Sequence, residues 1–233
     1  IPSDVVNIIL FVYSMKKNTT LIITIVFVSL LFLICGYSYK SKMCRRVIIV
    51  GNADTLLGKN LGSVIDSYDD VIRINNFKTK GYEKDVGTKT TGVHINESIS
   101  SERMHQILGE NDLKLENLKW FGVRPGQRDK FSGRMGLNKY DSRIETYNLT
   151  KYGGWCKNLT SGTLVILHFL EKCNHPVDIA GITGYTQSGS YFDTSQKYKE
   201  SMQQQNQKFH CPSIEKKVFQ DLIKLKRVRP IDL

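Results

Sequence analysis

Apolar positions fall along the chain in one long run and several short ones. Leu21 to Tyr39 (LIITIVFVSLLFLICGYSY) carries no charge, and as a helix it is about long enough to cross a hydrocarbon core of roughly 30 Å. It is longer than the apolar core of a cleaved signal peptide, and no clean small-x-small cleavage site follows it. The expectation is a transmembrane anchor over residues 21–39. A tail covers 1–20, in which Met15-Lys-Lys resembles a natural start, and one folded domain covers 44–233.

The short runs have a different character. Arg46-Val-Ile-Ile-Val-Gly is β-branched and ends in glycine, as a parallel strand buried on both faces does before a tight turn. Val71-Ile-Arg-Ile-Asn repeats that character after a helical or loop stretch. Gly162 to Lys172 has apolar residues at helical spacing, and Val177-Asp-Ile-Ala-Gly is another short strand closed by glycine. Strand, helix and strand in alternation predict an α/β domain, a Rossmann-like and mostly parallel sheet flanked by helices. Ligands bind such sheets at the carboxyl ends of the strands, so Gly51, Asn52, Asn75 and Gly181 fall on the expected rim. Gln203-Gln-Gln-Asn-Gln reads as a polar loop.

Charge and cysteine usage narrow the classes. A net charge of +11 suits nucleic acid, an anionic membrane surface or an anionic small molecule. The one tight basic run, Lys224, Lys226, Arg227 and Arg229, has no aromatic residues interleaved, which argues for a solvated helix face over a nucleic-acid groove. Cys35 lies in the apolar run, leaving Cys44, Cys156, Cys173 and Cys211 for up to two disulfides in three possible pairings. No CxxC or Cys/His spacing points to zinc, and no GxGxxG accompanies the first strand as a dinucleotide enzyme would need. Sequons at Asn96, Asn148 and Asn158 fit a secretory compartment in which thiols oxidise.

Candidate chemistry begins at Gly51-Asn52, where a glycine lets backbone approach a ligand and an amide both donates and accepts. Within the next forty or so residues come Ile65-Asp-Ser, Val71-Ile-Arg-Ile-Asn and Asp85-Val-Gly-Thr-Lys-Thr-Thr. This ordered set, from Cys44 to Asn96, closely resembles the large sialylmotif of animal-type sialyltransferases. Thr160-Ser-Gly-Thr through Cys173 to Asp178-Ile-Ala-Gly resembles the small sialylmotif, Ser190-Tyr-Phe-Asp the third, and His210-Cys-Pro-Ser-Ile-Glu215 the very small motif, His-x4-Glu. The four run in the family's order over nearly the whole domain.

The resemblance implies a variant GT-A fold and transfer of sialic acid from CMP-sialic acid to a glycan hydroxyl, with inversion and with neither metal nor cofactor. His210 would be the general base, since an imidazole titrates near neutrality. Asn52 and Asn75 would hold the cytidine monophosphate, Gly181 would leave room beside it, and the turn Thr160, Ser161 and Gly162 at a helix start would cradle the phosphate. Glu215 would orient the local helix, and Arg73 would be structural, paired with a carboxylate such as Asp66. His94, His105, His168 and His175 match no motif position. Acceptor choice would lie in loops between Ser98 and Trp155.

The resemblance also implies a Golgi enzyme of type II topology. It overrides the count of Lys16 and Lys17 before the span against Lys40, Lys42, Arg45 and Arg46 after it, which favours the opposite orientation. Three positions depart from the family pattern. Val47 stands where a cysteine that bonds the small-motif cysteine is usual, so Cys173 is left to pair with Cys44, Cys156 or Cys211. Ser190 replaces a histidine, and Thr183 replaces a glycine. These departures keep open a second reading, a transferase-like protein that binds nucleotide or glycan without turnover.

Overall fold

Four consecutive apolar residues, Val47–Val50, form the first strand, β1, and all four are buried. Their side chains alternate between the faces of the sheet. Val47 and Ile49 join the apolar cluster on one face, while Ile48 and Val50 join the cluster on the other. A strand covered on both faces needs no polar alternation, which is why the run is apolar throughout. The computed structural model describes residues 45–96, 99–148, 158–173, 175–184 and 189–232. The tail and anchor, together with Cys44 and Cys156, lie outside these residues. Among the described residues no helix is long and apolar enough to cross a membrane.

In chain order, β1 is followed by α1 (Gly62–Asp66), β2 (Asp70–Ile74), α2 (Glu83–Val86), β3 (Gly92–His94), α3 (Ser101–Glu110), β4 (Trp120–Val123), α4 (Arg128–Met135) and β5 (Ile144–Thr146). Then come α5 (Ser161–Lys172), β6 (Val177–Ala180), α6 (Gln196–Phe209), α7 (Pro212–Lys224) and β7 (Val228–Pro230). The strands make one seven-stranded sheet in the order β5-β4-β3-β2-β1-β6-β7. Every neighbouring pair is parallel, with Val50 beside Arg73 on one side and Ala180 on the other. The chain steps outward from β1 to β5, then returns to lay β6 on the opposite side of β1. That reversal leaves a crevice at the carboxyl ends of β1 and β6, where doubly wound sheets take their ligands.

Two expectations change. Residues 203–207 are not a loop but part of α6, as the good helix propensity of glutamine permits. Between Ser98 and Trp155 the loops alternate with α3, β4, α4 and β5, which enclose their own apolar cluster around Phe121, Phe131 and Met104. Arg73, fully buried, does not pair with Asp66. Its guanidinium donates to the carbonyls of Val86 (2.8 Å) and Lys89 (3.0 Å) and to the Thr90 hydroxyl (3.0 Å). Burial pushes it down to about 10, with Tyr191 and Asp66 opposing as nearby charges. Asp66 itself accepts from the Thr88 and Lys89 amides.

Candidate active site

The two glycines of the crevice hold its floor together. Gly51 N–H donates to Ala180 O (2.8 Å), and Ala53 N–H donates to Gly181 O (3.0 Å). A Cβ on Gly51 would lie 2.3 Å from Gly181 O, and Gly181 sits at φ +63, where side chains are strained. The Cβ direction of Gly181 is filled by Leu56 and Gly51 O. The glycine is thus accounted for by close strand packing, and the space at its Cα is taken by the protein itself, not left for a nucleotide. Asp232, beyond β7, closes the floor from below by accepting from Gly181 N–H (2.9 Å) and the Thr55 hydroxyl (2.8 Å).

Around this floor the residues singled out from sequence form one connected rim. Asn52 Nδ2 donates to Ile74 O (3.1 Å), while its Oδ1 is buried and without a hydrogen-bond partner. The neighbouring Asn75 is held at φ +54, donates its backbone N–H to His94 O (2.6 Å), and accepts at Oδ1 from Asn96 N–H (3.0 Å). His94, at the end of β3, reaches Ser161 Oγ (3.0 Å) through Nε2. Gly162 faces Ile182, the residue after Gly181, with 3.6 Å available to a Cβ. The third motif joins the same rim. Tyr191 N–H donates to Asn52 O (3.0 Å), and Ser190 pairs with Ala53.

The turn that opens α5 is pinned at three successive residues by three different elements. His210 Nδ1 lies 2.7 Å from Asn158 O. Arg124, just past β4, donates to Leu159 O (2.8 Å). Glu215, 1% exposed in α7, accepts from Thr160 N–H (3.0 Å), the Thr160 hydroxyl (2.6 Å) and the Thr163 hydroxyl. Thr160 also caps the helix toward Thr163 N–H. Its hydroxyl and amide are therefore occupied by protein, and of the three residues expected to cradle a phosphate, the amides of Ser161 and Gly162 are those left without an intrahelical acceptor.

The geometry fixes one proton of His210. A carbonyl oxygen only accepts, so Nδ1 carries a proton toward Asn158 O. Among the described residues Nε2 has no hydrogen-bond partner. His94 is the member of the rim that sequence reasoning passed over. It is fully buried, and burial pushes its imidazole down to about 4, against the pull of the Gly122 carbonyl and with the Arg124 charge adding to the burial. Its partner Ser161 stands 67 positions away, so no local spacing signals it. Cys173 and Cys211 are each in a disulfide. No His, Cys, Asp or Glu cluster suited to a metal occurs among the described residues.

Residues 11–125 match the sequence profile of Glycosyltransferase family 29 (sialyltransferase). The chain is 46% identical over 80 residues to CMP-N-acetylneuraminate-beta-1,4-galactoside alpha-2,3-sialyltransferase of Rattus norvegicus, covering 34% of this chain and 21% of that one. It is 56% identical over 54 residues to CMP-N-acetylneuraminate-beta-galactosamide-alpha-2,3-sialyltransferase 4 of Mus musculus, covering 23% and 16%. The matched stretch thus spans about a fifth of such relatives' length. The fold is like that of a mammalian sialyltransferase crystallised with Gal-beta-1-3GalNAc-ortho-nitrophenol, with a TM-score of 0.57 at 22% identity over 81% of this chain and 70% of that one. Over residues 11–125 the chain is thus similar to glycosyltransferase family 29, the sialyltransferases, and its sheet shares the fold of a solved sialyltransferase.

Proposed function

We propose that this protein transfers sialic acid from CMP-sialic acid to a hydroxyl of an acceptor glycan, inverting the anomeric centre without a metal, with His210 as general base. The observation that carries the reading is the Nε2 of His210, without a hydrogen-bond partner among the described residues, while Nδ1 is held by Asn158 O three residues before the first residue of α5. As the acceptor oxygen attacks, its proton passes to Nε2, and the leaving phosphate takes up charge beside the amides of Ser161 and Gly162. Asn52 and Asn75 hold the nucleotide, the buried Asn52 Oδ1 being free to accept from it. The relatives' names make a β-galactoside the first acceptor to try and an α-2,3 linkage the first product to seek. The anchor over 21–39 would hold the enzyme in the Golgi membrane with residues 44–233 in the lumen.

The test is CMP release from CMP-sialic acid with a panel of galactosides, products read by mass spectrometry. His210→Ala is expected to lower kcat by about a hundredfold or more while leaving CMP affinity within about twofold. Full turnover by that variant excludes the base assignment. The second reading, nucleotide binding without chemistry, is favoured by Ser190, which sits buried against the Asn52 loop where the family has an imidazole. CMP affinity without turnover on any acceptor would establish it.

A further inference from the structure

We propose that His94 is a positioning residue that turns the Ser161 hydroxyl into a hydrogen-bond acceptor toward the cleft, so that Ser161 meets an N–H or O–H of the nucleotide and leaves anionic oxygens to the backbone amides of α5. The inference rests on the nucleotide-binding reading and goes beyond it, since it assigns a role to a residue that matches no motif position.

Three contacts determine where the protons lie. Nδ1 of His94 is 2.9 Å from Gly122 O and 2.8 Å from the Tyr147 hydroxyl, and Nε2 is 3.0 Å from Ser161 Oγ. The Gly122 carbonyl has no proton to offer, so Nδ1 carries one and the Tyr147 oxygen lies beside that N–H. A neutral imidazole has a single N–H, which leaves Nε2 bare, and burial keeps the ring neutral above about pH 4. A bare Nε2 at hydrogen-bond distance requires Ser161 to donate. A serine hydroxyl has one proton, and once it is committed to His94 only lone pairs remain to face a ligand. Ser161 is the first residue of α5 and 7% exposed, so it has little freedom to turn elsewhere.

The arrangement differs from the simpler expectation that all hydroxyls of this turn donate to a phosphate. Thr160 gives its proton to Glu215 and Ser161 gives its own to His94. The helix start then offers an anion only main-chain amides, while the Ser161 hydroxyl, its proton spent, reads a donor. That division lets a single turn distinguish a nucleotide from a bare phosphate.

Two measurements on the full chain test this. Nitrogen-15 NMR of the ligand-free protein should show His94 neutral with its proton on Nδ1, and Ser161→Ala should shift the Nε2 resonance. A proton on Nε2 overturns the proposal, whether or not any nucleotide binds. CMP titration calorimetry should show Ser161→Ala and His94→Leu each weakening affinity about tenfold. The double variant should be no weaker than the worse single one, because the two act as a unit. His94→Gln, which keeps an oxygen acceptor toward Ser161, should recover most of the loss. A double variant weaker by about a hundredfold, the sum of independent effects, overturns the relay. Absence of CMP binding by the unaltered chain would instead remove the nucleotide reading, leaving the NMR result to judge the His94 tautomer.

Discussion

Asp178, near the amino end of β6, accepts two bonds from the Arg229 guanidinium (2.7 and 3.0 Å) and a third from the Tyr68 hydroxyl (2.9 Å). Arg46 lies over the Tyr68 ring. Asn52, at the carboxyl end of neighbouring β1, ties one side of its amide to Ile74 O and leaves the other buried and unpaired. Both clusters join neighbouring strands, yet only the first is closed on itself. A satisfied network stabilises, whereas a buried oxygen without a donor costs free energy until something supplies one. The comparison sets a closed polar cluster that serves the fold beside an open one that the proposed nucleotide would complete.

The sharpest way to break the comparison is Glu215, which sits on the ligand side but is bonded like a structural group. Glu215→Ala should lose roughly 4 kcal/mol in urea unfolding and much of the turnover with it, because three donors on α5 lose a buried charged acceptor. Glu215→Gln should lose about half as much. Next comes acid. The unfolded His94 imidazole takes up a proton as pH falls below its ordinary 6.5, whereas the folded ring does so only near 4. The unfolded chain gains protons first, so the stability this ring contributes is complete above 6.5 and is lost as pH falls toward 4. The loss is roughly 3 kcal/mol, and His94→Leu should flatten that limb of a stability-versus-pH curve.

Two smaller effects sharpen the contrast. Asp178→Asn should cost roughly 2 kcal/mol of stability by weakening its bonds to Arg229 and Tyr68, with CMP affinity unchanged in calorimetry. Asn52→Ala should do the reverse, weakening CMP about fivefold to tenfold while costing at most about 1 kcal/mol in unfolding. Equal effects of the two variants on both readouts would erase the distinction between the two ends of the sheet.

What could be read in the sequence was what is local. β1, β2 and β6 announced themselves because a strand buried on both faces must be apolar along its length, and α5 did so through its helical spacing. The rim residues Asn52, Asn75, Ser161 and Gly162 were identified through motif resemblance, and the structure connects them. β3, only Gly92–His94, is too short and too mixed to show a period. His94, Arg124 and Asp232 escaped notice because each acts on a residue far along the chain: Ser161, Leu159 and Gly181 respectively. The partners of Arg73 are not legible locally either, since carbonyl oxygens can hold a buried guanidinium in place of the carboxylate that its charge suggests.

The place of β1 in the sheet has a consequence for biosynthesis. One flank of β1 is covered as soon as residues 70–74 exist, but the other stays bare until residues 177–180 have been made. While residues 75–176 are being made the growing chain therefore carries an apolar, unpaired edge able to template strand addition from another nascent copy. Its closure is a long-range event of the kind that slows folding and calls for chaperone protection. Yield on expression should then depend on how long that edge is shielded more than on the stability of the finished domain.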